Sequence, residues 1–415
     1  EIHNVLTSLR HGSDKRWSSK ERFEHEIPLK EEHTLLRAFK ELHFYLEEFD
    51  DLRDVDTVEY LKPFLQVITS QHTNAAITMV ALRSLNKFLL YDFISASSPR
   101  AIFAINDMAH ALARCCRFNE RVLMQLMQVS ELAVRNPAGR LLTDDHICEL
   151  FKVCFRICRS VDASMLLRQS AESTLSHIII TVFGRVTESA AKEPASSPAL
   201  LAASPPPEVE EELLSSTVLH QNLKPETLAK ATPPADAEPD ASSAPPTTMA
   251  PVDQTSPSAY RTGSLSDSVF PYGPSCLFRL LRFIGSLINP GTQEEDVRVL
   301  GLSLLNTVLE TGGEMLGSIP EVVDLIQSEI CKYLLQDSQT EELPVLALVL
   351  RVIFNLFNSI KSHLKVQLEV FFTSVHLGIC ESRSELVTSE QKEIALESLL
   401  EFCREPALMV DLYKN

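Results

Sequence analysis

Residues 120–137 read ERVLMQLMQVSELAVRNP, and their spacing decides the fold class. Leu123, Leu126, Met127 and Val134 recur at helical intervals, which puts them on one face of a helix. Glu120 follows Phe118-Asn119 in the first turn, where the helix dipole favours an acid, and Asn136-Pro137 stops the pattern. The same signature recurs on both sides. Upstream it is carried by Leu35, Leu36, Phe39, Leu42 and Leu46, then by Leu82, Leu85, Phe88 and Leu89. Helix starts are marked by Asp56, Asn74, Thr143-Asp144-Asp145 and Asp162. Downstream, helices are expected over 275–288, 293–310, 320–335, 341–358, 362–378 and 388–403. No stretch alternates as a strand does, and 12 glycines with 7% aromatic residues in 415 argue against an all-β chain with its many tight turns. Long helices with short connections pack as antiparallel neighbours. The expected fold is therefore all-α, a HEAT/armadillo-like α-solenoid in two helical domains joined by a long disordered linker.

The linker is read from composition. Of 23 prolines, 13 fall between Pro194 and Pro257, among Ala, Ser and Glu, so too little apolar surface is present to offset the entropy of ordering. The expected division is 1–186 helical, 187–267 linker and 268–415 helical, with the apolar island Val209–Leu223 read as part of the linker. The chain has 38 basic and 56 acidic side chains, a formal charge of −18, and nearly half of that excess lies in the linker. This balance excludes a general nucleic-acid binder, which needs a basic face. Nine cysteines, mostly single within apolar stretches, suit a reducing compartment better than a disulfide scaffold. No membrane span is expected, because Arg351 interrupts the apolar run from Val345 to Phe357. The opening residues lack Met and the character of a signal peptide, and the chain reads as part of something longer.

The search for chemistry finds no catalytic constellation. Gly312-Gly313-Glu314-Met315-Leu316-Gly317-Ser318 approaches a phosphate loop but lacks its lysine and follows a helix, so an interhelical turn is expected. His25-Glu26 opens like a zinc-protease motif, but Leu29 replaces the second histidine. Cys148, Cys154 and Cys158 share one helix with His146 as the nearest further ligand, and they are read as buried apolar residues. The pair Cys115-Cys116 is read as packing, and the basic tract Arg10–Arg22 around Trp17 as an ordinary surface loop. No metal and no cofactor are expected.

Several stretches in the same order resemble the regulatory region of the large Arf guanine-nucleotide exchange factors, in their Golgi brefeldin-A-resistance-factor subfamily. They are Tyr60-Leu61-Lys62-Pro63-Phe64-Leu65-Gln66-Val67-Ile68 with Ser84-Leu85-Asn86-Lys87-Phe88-Leu89, then Ile147-Cys148-Glu149-Leu150, Cys154-Phe155-Arg156-Ile157-Cys158 and Leu166–Leu175. These look like the family's dimerisation-and-cyclophilin-binding (DCB) domain. Pro271-Tyr272-Gly273 and Leu281–Pro290 look like the start of its homology-upstream-of-Sec-seven (HUS) domain, and Asn415 falls where the family's HUS box opens.

The resemblance implies a DCB domain at 1–186, a HUS domain at 268–415, and a non-catalytic regulatory scaffold on cytoplasmic faces of cis-Golgi and ER–Golgi intermediate membranes, serving vesicle traffic. The implied partners are a second copy through the DCB domain, the parent's own exchange domain and downstream helical domains, and Arf-class and Rab-class small GTPases through the parent. It also implies that Lys87 and Glu120 support the pairing of two DCB domains, as a charge pair that sets register more than affinity. The competing reading is a helical-repeat adaptor unrelated to nucleotide exchange, although Trp17 is the sole tryptophan available for a ladder-lined groove.

Overall fold

In the computed structural model, the described residues are 1–14, 29–49, 55–115, 119–192, 270–384, 387–406 and 410. Residues 193–267 of the linker, with its island Val209–Leu223, the basic tract from Lys15 with Trp17, His25-Glu26, Cys116 and Asn415 lie outside them. Among the described residues every regular element is helical.

Local chemistry accounts for the element starts. α1 (Ile2–Asp14) and α2 (Leu29–Leu46) precede α3 (Thr57–Thr69), which is capped by Asp56 accepting from the Val58 amide at 2.9 Å. α4 (Ala75–Leu90) is capped in the same way by Asn74 on Ile77, and α5 (Ala101–Ala113) follows. The decisive stretch forms α6 (Glu120–Arg135), capped by Asn119 and closed by a 3₁₀ turn at Pro137–Leu141. α7 (Asp144–Cys158) leads to α8 (Met165–Lys192), which continues past residue 186. The start signal at Asp162 stands too early: the Ser164 hydroxyl oxygen accepts from the Leu167 amide at 3.2 Å and does the capping.

After the linker come α9 (Pro274–Leu287), α10 (Glu295–Gly312), α11 (Pro320–Leu325), α12 (Cys331–Asp337) and α13 (Leu343–Ile360). α14 (Lys365–Val370), α15 (Gly378–Glu381) and α16 (Ser389–Arg404) complete the set, the last behind a full capping box of Thr388 and Gln391. π-helical segments at Ile326–Ile330 and Phe371–Leu377 join α11 to α12 and α14 to α15. Gly312 ends α10 and Gly313 takes φ +50°, which confirms the loop as an interhelical turn.

The helices stack in two layers. α3, α5, α7 and α9 pack in succession along one, and α4, α6, α8, α10, α13 and α16 along the other. This is the helix-pair solenoid expected from the spacing. The stack does not break at the linker: α9 packs on α7 and α8, and α10 on α8, so both sequence segments contribute to one hydrophobic core. Phe283 of α9 meets Phe151 and Phe155 of α7 edge-on, with centroids 5.9 and 5.3 Å away. At the rim Arg279 pairs with Asp145 at 2.6 Å, and the Tyr272 amide donates to the Leu142 carbonyl at 2.8 Å.

The stretch Leu343–His363 is long and apolar enough, by length and composition, to cross a membrane, so Arg351 does not break it as the sequence suggested. One charge on one exposed face leaves the remaining faces apolar. Those faces are core: Val345, Leu346, Val349, Val352 and Ile353 are buried, and the helix packs on α10 and α16. Arg351 itself sits at the surface beside Glu310.

His376 is fully buried in the π-helical segment between α14 and α15. Its Nδ1 faces the Phe371 carbonyl at 3.2 Å, and its Nε2 faces the Ser398 hydroxyl at 3.1 Å. A carbonyl only accepts, so Nδ1 carries the proton and Nε2 accepts from Ser398. Burial holds the imidazole pKa below its ordinary value, with the Phe371 carbonyl opposing. The unfolded chain then binds a proton that the folded chain refuses. Stability is expected to fall as pH drops below about 6.5 towards the folded pKa, by up to about 1.4 kcal/mol per pH unit from this residue. Urea denaturation of the wild type and His376→Gln at a series of pH values from about 7.5 down to about 5 measures it. Equal pH slopes in the two proteins would refute the assignment.

Candidate self-association surface

Lys87 lies on the exposed face of α4, one turn from Arg83 and ahead of Leu90. Its Nζ donates to Glu1 Oε1 at 2.6 Å, and the Ser84 hydroxyl donates to Glu1 Oε2 at 2.8 Å. Burial opposes ionisation of Glu1, but these two hydrogen bonds outweigh it and hold the carboxyl below its usual range. Glu1 also lines an apolar groove of about 480 Å³ walled by Leu6, Leu42, Leu46, Phe64 and Phe88. Beyond Lys87 the surface is apolar: Leu90 is 60% exposed and Tyr91 67%.

Glu120 occupies the first turn of α6 and accepts a hydrogen bond from the Ser164 hydroxyl. That serine is flanked in sequence by exposed apolar residues, with Val161 90% exposed, Met165 74% and Leu166 64%.

The structure keeps these two charges apart. The Asn136 side-chain amide, at the end of α6, donates to the Leu89 carbonyl at the end of α4 at 3.0 Å, so the C-terminal ends of the two helices coincide. Glu120 is at the opposite end of α6, and a helix of this length places it about 20 Å from that junction. Lys87 and Glu120 therefore mark opposite ends of neighbouring parallel helices.

The cysteines near His146 are packing residues. Cys148, Cys154 and Cys158 are buried, and burial pushes the thiols of Cys154 and Cys158 up to about 12 and about 11. Cys115 is partly buried against the core.

Residues 21–190 match the family model for the Mon2/Sec7/BIG1-like dimerisation and cyclophilin-binding domain, and residues 274–415 match that for the Mon2/Sec7/BIG1-like HUS domain. The chain carries the DCB and HUS domains of the Arf guanine-nucleotide exchange factors. Among relatives, it is 29% identical to the Golgi-specific brefeldin A-resistance guanine nucleotide exchange factor 1 homolog of Caenorhabditis elegans, over 93% of this chain and 24% of the relative. It is 27% identical to the ARF guanine-nucleotide exchange factor GNOM of Arabidopsis thaliana, over 92% of this chain and 28% of that protein. It is 24% identical to ARF guanine-nucleotide exchange factor 2 of Saccharomyces cerevisiae, over 82% and 25%. The chain thus spans about a quarter of the length of these relatives. In DCB–HUS terms, α2–α8 fall in the DCB match and α9–α16 in the HUS match, and α7–α9 and α8–α10 are the seam between them.

Proposed function

We propose that this DCB–HUS segment is a non-catalytic regulatory scaffold of a Golgi Arf exchange factor, and that two copies pair through α4 and α6 of the DCB domain. Residues 1–186, 187–267 and 268–415 are the working division into DCB, linker and HUS. The parent would exchange nucleotide on Arf-class GTPases, with Rab-class GTPases as further contacts. The segment would touch the parent's own exchange domain and downstream helices, and would help hold it on cis-Golgi and ER–Golgi intermediate membranes. The names of the relatives support the Golgi and Arf parts of this reading.

The observation that carries self-association is the placement of Lys87 and Glu120 at opposite ends of parallel neighbours, with exposed Leu90 and Tyr91 following Lys87 and exposed Val161, Met165 and Leu166 flanking the Ser164 that holds Glu120. In a two-fold pair the same patch serves both subunits, so residue i meets j and j meets i. Apposing the α4–α6 faces antiparallel sets Lys87 against the partner's Glu120, twice. The Lys87–Glu1 pair is about half exposed at the lysine and weakly held, so exchanging it for an intersubunit contact costs little.

Lys87→Glu and Glu120→Lys should each shift the 415-residue chain from dimer to monomer in multi-angle light scattering, and combining them should restore the dimer in part, because the reversed charges again oppose each other. A wild type that stays monomeric, or single variants that keep the wild-type mass, would defeat the proposal.

A further inference from the structure

The inner DCB helices α5 and α7 bring together residues that lie far apart in sequence. On α5, Asp107 and His110 are three residues apart, and on α7, His146 and Glu149 are three residues apart. Residues at that spacing share a helix face, and α5 and α7 pack side by side. The ligand atoms of His110, His146 and Glu149 all lie within 4.8 Å of one another. A carboxylate and an imidazole from each of two packed helices is a chelating arrangement, with both soft-to-borderline nitrogen and hard oxygen donors.

We infer that His110, His146 and Glu149, with Asp107 beside them, form a binding site for a divalent transition metal, zinc above all, that clips α5 to α7. Zinc binds nitrogen and oxygen at about 2.0–2.2 Å, so two tetrahedral ligands stand roughly 3.3–3.5 Å apart. His110 Nδ1 and Glu149 Oε2 are already 3.7 Å apart. The two imidazoles meet edge-on with centroids 6.1 Å apart. Two imidazoles favour zinc over magnesium or calcium, which take oxygen donors.

The ring of His146 is held from behind. The Thr143 hydroxyl contacts its Nδ1 at 2.6 Å, which leaves Nε2 as the free ligand atom. Thr143 is itself anchored: its amide donates to Asn106 Oδ1 at 2.9 Å, and the Asn106 side-chain amide donates to the Leu141 and Ile102 carbonyls. An outer hydrogen bond that fixes ring orientation is the usual companion of a metal-bound histidine. Asp107 is close enough to act on the charge of both imidazoles.

One neighbour opposes the metal. Arg114 Nη1 lies 3.4 Å from His110 Nε2. With zinc on Nδ1, Nε2 carries the proton and faces a donor, so the exposed Arg114 side chain must turn away. This gives the variants opposite signs.

The test is zinc chloride titration of the chelator-treated 415-residue chain by calorimetry, with thermal unfolding in parallel. One equivalent should bind and raise the melting temperature. His110→Ala and Glu149→Gln are at exposed positions and should leave the metal-free melting temperature unchanged while weakening zinc at least about tenfold. Thr143→Val should weaken it about tenfold through the orientation of His146, whereas Arg114→Ala should tighten it. Cobalt in place of zinc should give a d–d spectrum without thiolate charge-transfer bands. The absence of saturable zinc binding, affinity that survives both ligand variants, or thiolate bands pointing to cysteine would each overturn the site.

Discussion

Replacing Arg298 by Met is expected to lower the unfolding free energy by about 3 kcal/mol at neutral pH. Arg298 on α10 pairs with Asp337 at the end of α12, where the aspartate side chain has 0% exposure and the arginine 15%. Burial raises the Asp337 pKa, and the guanidinium is what opposes this. Asp337 also stands at a helix C-terminus, where the dipole disfavours a negative charge. Arg298 bonds its Oδ1, and its Oδ2 has no hydrogen-bond partner. Without Arg298 the carboxylate must either stay charged and unsolvated or take up a proton.

An acid whose folded pKa is raised binds more protons folded than unfolded, so the variant gains stability as pH falls from the folded pKa towards the unfolded value near 3.9. The penalty should therefore shrink on acidification, and Arg298→Met with Asp337→Leu should recover most of it, because an apolar pair can replace a buried ion pair at little cost. Urea unfolding of the two single variants and the double variant closes the cycle. A single variant as stable as wild type at neutral pH would mean that Asp337 is solvated after all.

The second large effect is at Arg185. From the C-terminal third of α8 its guanidinium donates to the carbonyls of Val134, Arg135 and Asn136 at 2.6, 2.7 and 3.0 Å. These are end carbonyls of α6, which lack partners within their own helix. The approach is close because Gly139 folds back on that end: a Cβ there would stand 2.4 Å from the Ala133 and Val134 carbonyl oxygens. Arg185→Met removes three charge-assisted bonds at once. Each such bond contributes up to about 1.5–3 kcal/mol, and water can replace the ones nearest the surface, so about 2–3 kcal/mol should be lost in all. Lys at this position keeps the charge but not the fork, and should recover less than half.

This clamp reaches the surface proposed for self-association. Arg185 fixes the end of α6, and Asn136 joins that end to the Leu89 carbonyl, two residues past Lys87. Amide hydrogen exchange at 87–91 should therefore quicken in Arg185→Met. Unchanged exchange there would show that α4 holds its end independently.

Much of this architecture is local chemistry, and local chemistry is legible in a sequence. Asp56, Asn74 and Asn119 cap helices because each oxygen reaches an amide two or three residues on. The face of α6 is apolar because Leu123, Leu126, Met127 and Val134 recur with the helical period, and all four are buried. The order of family-like stretches likewise pointed to the DCB and HUS domains that the family models match.

What the tertiary structure decided is which surfaces meet. Periodicity states that a helix has an apolar face, but not what covers it. The sequence therefore could not say that α7 and α8 are covered by α9 and α10 from beyond the linker, nor that Leu343–His363 is buried within the stack. The family resemblance implied a pairing of Lys87 with Glu120, and only the shared ends of α4 and α6 place them far apart within one chain. The sequence offered His146 only its cysteine neighbours, because His110 lies 36 positions away and arrives through the packing of α5 on α7. Capping and period act over one or two turns of chain, whereas a seam or a chelate depends on side chains brought together by the whole stack.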